Sequence, residues 1–389
     1  MNIRDSDQFA REGAKVGATV TARKPPKYRG RYGNAIDVED IQETPVPIVV
    51  NLLFGVDLEY DDVALTLTMD NFQDRYIDPV MARIANEIDA TGMQQFSNIY
   101  NSEGLPNAVL TNRIDYLNQG VILDNTATPR RGKGSRTYVM SPQMQANLAD
   151  SQASLFNRQS SIAEQYDTGE MGDALGWKFT MDQNVSAMTI GALNGVNALQ
   201  VNGANQTGSS IICTNAGTVV NYFNGGETIT FSGVYGIVPN TATKTGGGIS
   251  TGALQQFVVQ SAATSAAGAL TISISPPIIT AGAFQNCTNS PATLANVAVF
   301  GNTTGAYAGL TIKNALGFHQ QAFTRVMVDL PVPGGVDMGG RIRDKASGLA
   351  FRLVRAYDIR GNTRPTRVEA LWGWSTLYPE WAVRGISSS

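Results

Sequence analysis

Histidine and cysteine are almost missing from this chain of 389 residues, which has one histidine, His319, and two cysteines, Cys213 and Cys287. A single imidazole excludes metal sites built on several histidines and leaves any Ser-His-Asp or Cys-His mechanism dependent on that one ring. Two cysteines without C-x-x-C spacing make neither a disulfide framework nor a redox pair, so both are expected to be buried or unpaired thiols. No run of about 18 uncharged apolar residues is present to cross a membrane, and the N-terminus MNIRDSDQF is charged where a signal peptide would be apolar. A soluble protein made inside the cell is therefore expected. Charge of one sign is also lacking: 29 Lys and Arg stand against 32 Asp and Glu, a net of -3. That balance excludes an overall electrostatic grip on nucleic acid.

The most informative absence is local. From Asn184 to Ile312 only Glu227 and Lys244 carry charge, so composition marks a domain boundary at each end of this span. The span is rich in Gly, Ala, Asn, Thr and Ser. Its β-branched and aromatic runs, Gly217 to Tyr222, Glu227 to Phe231, Phe257 to Gln260, Leu270 to Ser275 and Asn296 to Phe300, are separated by turn residues and predict a small all-β barrel or sandwich. A disordered linker is the competing reading. The clusters Ile211-Ile212, Val219-Val220 and Ile278-Ile279 argue against it. The insert, about Gly191 to Gly309, is expected to fold on its own.

The charged flanks predict an α+β body that the insert interrupts. Lys15 to Lys24 alternates Val16, Ala18, Val20 and Ala22 with polar residues, Pro25 and Pro26 break the run, and Val46 to Leu53 starts another. Together they predict a long two-stranded hairpin with a wide tip. The tip carries Arg23, Lys24, Lys27, Arg29 and Arg31, and the return path carries Asp37, Glu39, Asp40 and Glu43. Two strands alone are marginal in water, so this ribbon needs a partner surface. Asp78-Pro79 then opens a helix, with Val80, Ile84, Ile88, Phe96 and Ile99 on one face out to about Tyr100, a rod of roughly 33 Å. Gly92 is expected to break or bend it. Shorter helices are expected at about Ala108 to Asn118 and Pro142 to Phe156, and strands at Arg136 to Met140, Arg325 to Leu330, Leu349 to Tyr357 and Arg367 to Trp374.

Chemical motifs are scarce. Gly246-Gly247-Gly248 and Gly334-Gly335 lack the lysine and the strand-to-helix context of phosphate loops, and turn glycines account for them. Arg130-Arg131-Gly132-Lys133-Gly134 has no interleaved aromatics and is expected to be a surface loop. His319, in GFHQQAF, is expected to pack or cap. Asp61-Asp62 would bind a hard cation only if the fold gathered further oxygens. No catalytic residue, cofactor or metal is expected.

The order of the segments resembles a known family. DSDQFAREGAKVGATVTARKPPKY, followed by VDLEYDDVALTLTMDNFQDRYIDPVMARIANEID, resembles the extended loop and spine helix of tailed-bacteriophage major capsid proteins of the Hong Kong ninety-seven fold. GEMGDALGWKFTMDQNV is similar to the axial-domain strand region, GFHQQAF to the segment resuming it after an insert, and SGLAFRLVRAYDIRGNTRPTRVEALWGWSTLYPEWAVRG to the C-terminal strands. ETITFSGVYGIVP resembles a strand pair of the inserted barrel of short-tailed-phage coat proteins.

That resemblance implies a division of the chain. It makes 1–14 an N-terminal arm remnant, 15–57 the E-loop, 58–106 the peripheral domain with the spine helix, and 107–190 the axial domain. The inserted β-domain follows at 191–309, the axial domain resumes at 310–348, and 349–389 return as strands to the peripheral domain. It also implies a non-enzymatic coat protein assembling as hexamers and pentamers into an icosahedral shell. The implied partners are scaffolding protein, a portal, a possible cement protein and weakly held double-stranded DNA, with assembly in the host cytoplasm. The tip residues Arg23 to Arg31 would then meet acidic groups of a neighbouring chain. A β-rich adhesin or tail-associated virion protein is the alternative reading, and a hydrolase using aspartates or His319 a remote third.

Overall fold

The computed structural model describes residues 19–34, 36, 38–60, 76–130, 135–151, 172–193, 198–243, 247–344 and 348–388. The fold is mixed and mostly sheet, in two compact units. The first comprises Met1–Lys24, Pro45–Gly92 and Phe323–Leu377, and the second Pro25–Thr44, Met93–Ala322 and Tyr378–Ser389.

In the first unit the long strand Thr366–Thr376 is central. Leu52–Leu58 pairs along one edge, while Ala350–Arg355 and Phe323–Val328 share the other. Alternation sends Val368, Ala370 and Trp372 to one face, where helix α1 (Asp78–Met93) lays Val80, Ile84 and Ile88 on them. The opposite face is charged, with Glu369 Oε1 accepting from both Nε and Nη2 of its cross-strand partner Arg352. Arg367 reaches its cross-strand partner Asp57 at 2.8 Å.

Helix α1 is shorter than the periodicity predicts. It closes at Met93 and passes into a 3-10 turn, Gln94–Asn98. Two indoles hold its last turn: Trp374 Nε1 donates to the Ile88 carbonyl and Trp372 Nε1 to the Thr91 hydroxyl, each at 3.1 Å. The break comes one residue past Gly92, as expected near there, and Gly92 also admits the indole, since a Cβ there would lie 2.9 Å from Trp374 Cζ2.

The expected hairpin strands form over Thr19–Lys24 and Thr44–Val49, and a break at Val50 and Asn51 sends the next strand, Leu52–Leu58, into the sheet. The root of the ribbon is not partnerless: Val20, Ile48 and Val50 pack with Val326. Residues 1–14, Val16 and Ala18 lie outside the described residues.

The second unit has a seven-stranded sheet around Thr311–His319, flanked by Ala382–Ser388 on one side and by Arg136–Met140 and Ala187–Thr189 on the other. Helix α2 (Arg113–Asn125) and helix α3 (Pro142–Ser151) bury Tyr116, Leu123, Met144 and Leu148 in the same core as Tyr138, Trp177 and Phe179. Helix α2 starts five residues later than expected because the Asp115 carboxylate accepts the Asn112 N–H at 3.4 Å, a capping contact that sets the first turn. The expected end of helix α3 at Phe156 lies outside the described residues. After Leu377 the chain passes into the second unit, where Ala382–Ser388 joins the seven-stranded sheet and pairs with Thr311–His319 along its whole length.

The uncharged span forms a six-stranded sheet in the order Val297–Val299, Thr228–Ile237, Ser250–Val259, Leu270–Ile278, Gly208–Thr214, Gln200–Val201. Its edges meet. Val201 N donates to Ala295 O at 3.0 Å, Leu294 N to Val201 O at 3.0 Å and Val297 N to Leu199 O at 2.8 Å, so the sheet closes on itself and leaves no open edge there. Inside are Ile211, Cys213, Ile229, Phe231, Phe257, Ile272 and Cys287. The run Gly217 to Tyr222 forms turns rather than the expected strand. Ser265 Oγ takes the Val219 N–H at 2.8 Å and Thr264 Oγ1 takes the Asn221 N–H at 3.1 Å, so side chains occupy the donors that a ladder would use.

This closed sheet is rooted in the body of its unit. Ile312 and Ile386 of the seven-stranded sheet belong to its core. Glu227 is fully buried and accepts the N–H groups of Gly191 (3.0 Å), Asn224 and Gly225 (2.8 Å each). Arg384, also fully buried on the last strand, donates to Gly226 O at 2.7 Å and to Thr228 Oγ1. Burial pulls the Arg384 guanidinium down to about 9, with Glu227 acting in the opposite direction. Independent folding of 191–309 would therefore cut the insert from the cation that its only described charge faces.

Replacing Glu227 by Ala should cost about 3–5 kcal/mol in denaturant unfolding, because it orphans three N–H groups and leaves Arg384 uncompensated. The double variant Glu227→Ala with Arg384→Met should lose less than the sum of the two singles. Gly373→Ala should cost about 1–3 kcal/mol, since its Cβ would fall 2.1 Å from the Val49 carbonyl oxygen. An unchanged melting temperature would contradict the observed packing at that crossing.

Candidate intersubunit surface

The hairpin tip is where the charged residues singled out by composition lie. The structure brings two of them together: Glu39 accepts the Arg29 backbone N–H at 2.8 Å on one carboxylate oxygen and the Arg29 Nε at 3.1 Å on the other. This clamp ties the outgoing strand to the return path. Arg31 donates to the carbonyl of Gly33 two residues on. Arg23, Lys27, Asp40 and Glu43 are exposed and Lys24 is partly buried, while Asp37 lies outside the described residues.

What the charge pattern did not reveal is apolar. Tyr32, Ile36 and Val38 are 88%, 84% and 83% exposed, and Ile41 and Tyr28 are exposed beside them. Large apolar side chains this open, concentrated in one short segment, mark a contact surface. The signal was present as Ile36, Val38 and Ile41 among the acidic residues, but a sequence pattern alone does not distinguish side chains that meet a core from those that meet solvent. A second apolar stripe lies on helix α2, where Ile114, Leu117 and Val121 are exposed at helical spacing opposite the buried Tyr116 and Leu123.

The remaining candidates for chemistry are spent on structure. His319 Nδ1 accepts the Gln321 N–H at 3.3 Å and its ring meets Trp381 edge-on at 5.5 Å. Desolvation, and secondarily Arg136, hold it below the usual imidazole range. Cys213 and Cys287 are buried, and burial pushes both thiols up to about 12, where no nucleophilic thiolate forms near neutrality. Arg130 lies 3.7 Å from Asp124, and Arg131 to Gly134, Asp61, Asp62, Lys244 and Gly246 lie outside the described residues. Among the described residues no group of three or more His, Cys, Asp or Glu converges to hold a metal, and no helix is long and apolar enough to cross a membrane.

Because the Arg29–Glu39 pair is partly exposed, it should contribute only about 0.2–1 kcal/mol. Arg29→Glu or Glu39→Arg should speed limited proteolysis within the tip without moving the melting temperature, and the charge-swapped double variant, which regains the ion pair but not the acceptor for the backbone N–H at 29, should restore part of the protection. Equal cleavage of all three variants would remove the clamp from the account.

No family model matches the sequence and no curated protein matches it. Among solved structures, the chain is similar to "Capsid of Ralstonia phage GP4" at 9% identity and a TM-score of 0.47, over 96% of this chain and 84% of that one. It is similar to "Capsid structure of the Cyanophage P-SCSP1u" at 10% identity and a TM-score of 0.46, over 95% and 83%. A structure from "Mycobacterium phage Che8" is similar at 10% identity and a TM-score of 0.46, over 98% and 88%.

Proposed function

We propose that this chain is a major capsid protein of a tailed double-stranded DNA bacteriophage, a structural rather than catalytic protein that tiles an icosahedral shell as hexamers and pentamers. The observation that carries this reading is the hairpin. Its root packs on the sheet of the first unit, Val20 and Ile48 meeting Val326, while its tip displays Tyr32, Ile36, Val38 and Ile41 exposed. A surface of that kind suits a heterologous contact, in which one patch meets a different patch on the next copy and closes a ring.

On this reading the hairpin is the E-loop and helix α1 the spine helix. The first unit supplies the peripheral domain and the seven-stranded sheet the axial domain. The closed six-stranded sheet is the inserted barrel of the short-tailed-phage branch. Arg23, Lys24, Lys27, Arg29, Arg31, Asp37, Glu39, Asp40 and Glu43 belong to the intersubunit contact. Since Arg29 and Glu39 hold each other within one chain, their part in it is to shape the tip, and the exposed apolar row supplies the binding area. Scaffolding protein, portal, a possible cement protein and packaged DNA are the further partners of such a shell, assembled in the host cytoplasm. The near-balanced charge suits an inner wall that holds DNA weakly.

Negative-stain electron microscopy with sedimentation velocity, on the chain alone and with the proteins encoded beside it, tests this. Closed shells or free capsomers are expected. A clean monomer in every condition would overturn the reading and favour the β-rich adhesin. Tyr32→Ser, Ile36→Ser and Val38→Ser combined should abolish particles while leaving the monomer's melting temperature within about 2 °C of the parent, as exposed positions carry little folding energy.

A further inference from the structure

We propose that the exposed apolar stripe of helix α2, with the Glu103 carboxylate at its side, is the surface that receives the hairpin tip of a second copy of this chain. Its purpose rests on the shell reading above, and it names the receiver of the contact assigned there to the tip.

Helix α2 is apolar on two sides. Tyr116 and Leu123 face the core of the second unit, while Ile114, Leu117 and Val121 recur at helical spacing on the exposed side. One apolar side is enough to dock a helix on a sheet. The second side is surplus to the fold of a single chain and marks a surface that another chain covers.

A carboxylate is set against this stripe. Glu103, on the short strand Ser102–Glu103 beside the last strand, accepts Asn118 Nδ2 at 3.2 Å. Asn118 follows Ile114 by four residues and precedes Val121 by three, so the bond holds the carboxylate along the flank of the stripe. Glu103 is half-buried. Burial lifts its carboxyl above the usual range, the Asn118 bond opposes that shift and Asp115 adds to it, and no cation among the described residues helps to hold the charge. A cation brought by a partner would be favoured there.

The tip has the complementary make-up. From Lys27 to Ile36 the sequence KYRGRYGNAI contains three cations and no acidic residue. Arg29 is committed to Glu39, but Lys27 and Arg31 stand exposed among the exposed Tyr28, Tyr32 and Ile36. Tyrosine and arginine are the side chains that most often anchor an interface. Stripe and tip are different patches of one chain, so their contact is heterologous and repeats from copy to copy until a ring closes.

Two single-cysteine chains, Tyr32→Cys and Leu117→Cys, mixed under assembly conditions with a short bismaleimide, test the docking. The native thiols are buried and slow to react. A covalent dimer whose linked peptides join positions 32 and 117 is expected. Particles that form with no such link, or with 117–117 links in its place, would overturn the proposal, the latter giving the stripe to a second helix α2. Ile114→Ser with Val121→Ser should lower particle yield about tenfold at an unchanged melting temperature, and full yield would count against the stripe. Lys27→Glu with Arg31→Glu should also lower the yield, and adding Glu103→Gln should recover part of it by removing the repulsion; no recovery would overturn the charge pairing. If the parent chain forms no shells in any condition, the shell reading fails, and the 32–117 link at high concentration still decides whether two copies dock in this way.

Discussion

A guanidinium sealed beneath a nearly uncharged domain sets the terms for the second unit. Arg384 is carried there by the last strand, Ala382–Ser388, and its charge is tolerated because Gly226 O, Thr228 Oγ1 and the field of Glu227 meet it. Glu227 in turn gathers the N–H groups of Gly191, Asn224 and Gly225, the residues where the chain leaves the body and turns into the closed sheet. A buried charge without its partners costs far more than the pair contributes. The closed sheet therefore completes its root only when the C-terminal strand is in place, with Arg384 lying 158 residues beyond Gly226 in the chain. The apolar core running from Phe231 and Ile272 to Ile312 and Ile386 makes the same demand in a second currency.

The first unit solves a different problem. Its central strand, Thr366–Thr376, is shared by three others, and its Trp372 and Trp374 reach across helix α1 to hold both core and helix end. Two close approaches limit substitution there, Gly92 under Trp374 and Gly373 under Val49. That packed platform lets a two-stranded ribbon, marginal by itself, keep a defined root while its tip presents apolar side chains to solvent.

Much of this was legible in the residues. The loss of charge between Asn184 and Ile312 marked the span that holds the closed sheet, because a segment whose polar groups are uncharged differs in composition from its flanks. The alternation of Val20 and Ala22 marked the ribbon, and Val80, Ile84 and Ile88 marked the helix face that is buried. Local competition was harder to read. The turn at Gly217 to Tyr222 depends on hydroxyls of Thr264 and Ser265, and the start of helix α2 on a carboxylate at Asp115. At the tip, composition drew attention to the charges alone, yet Arg29 and Glu39 satisfy each other and large apolar side chains stand exposed among the remaining charged ones.

The sequence by itself determined the α+β body, the uncharged insert, the ribbon with its charged tip and the poverty of catalytic groups, since these depend on composition and on periodicities of a few residues. Only the tertiary structure decided that the insert's sheet closes on itself, that the C-terminal strand crosses to the seven-stranded sheet, that Glu227 and Arg384 share one buried site, and that Gly30 meets Thr243. Each of these joins residues far apart in the chain. Local propensity carries no information about such pairs, and the free energy that selects them comes from burial and hydrogen bonding available only once both segments are in place.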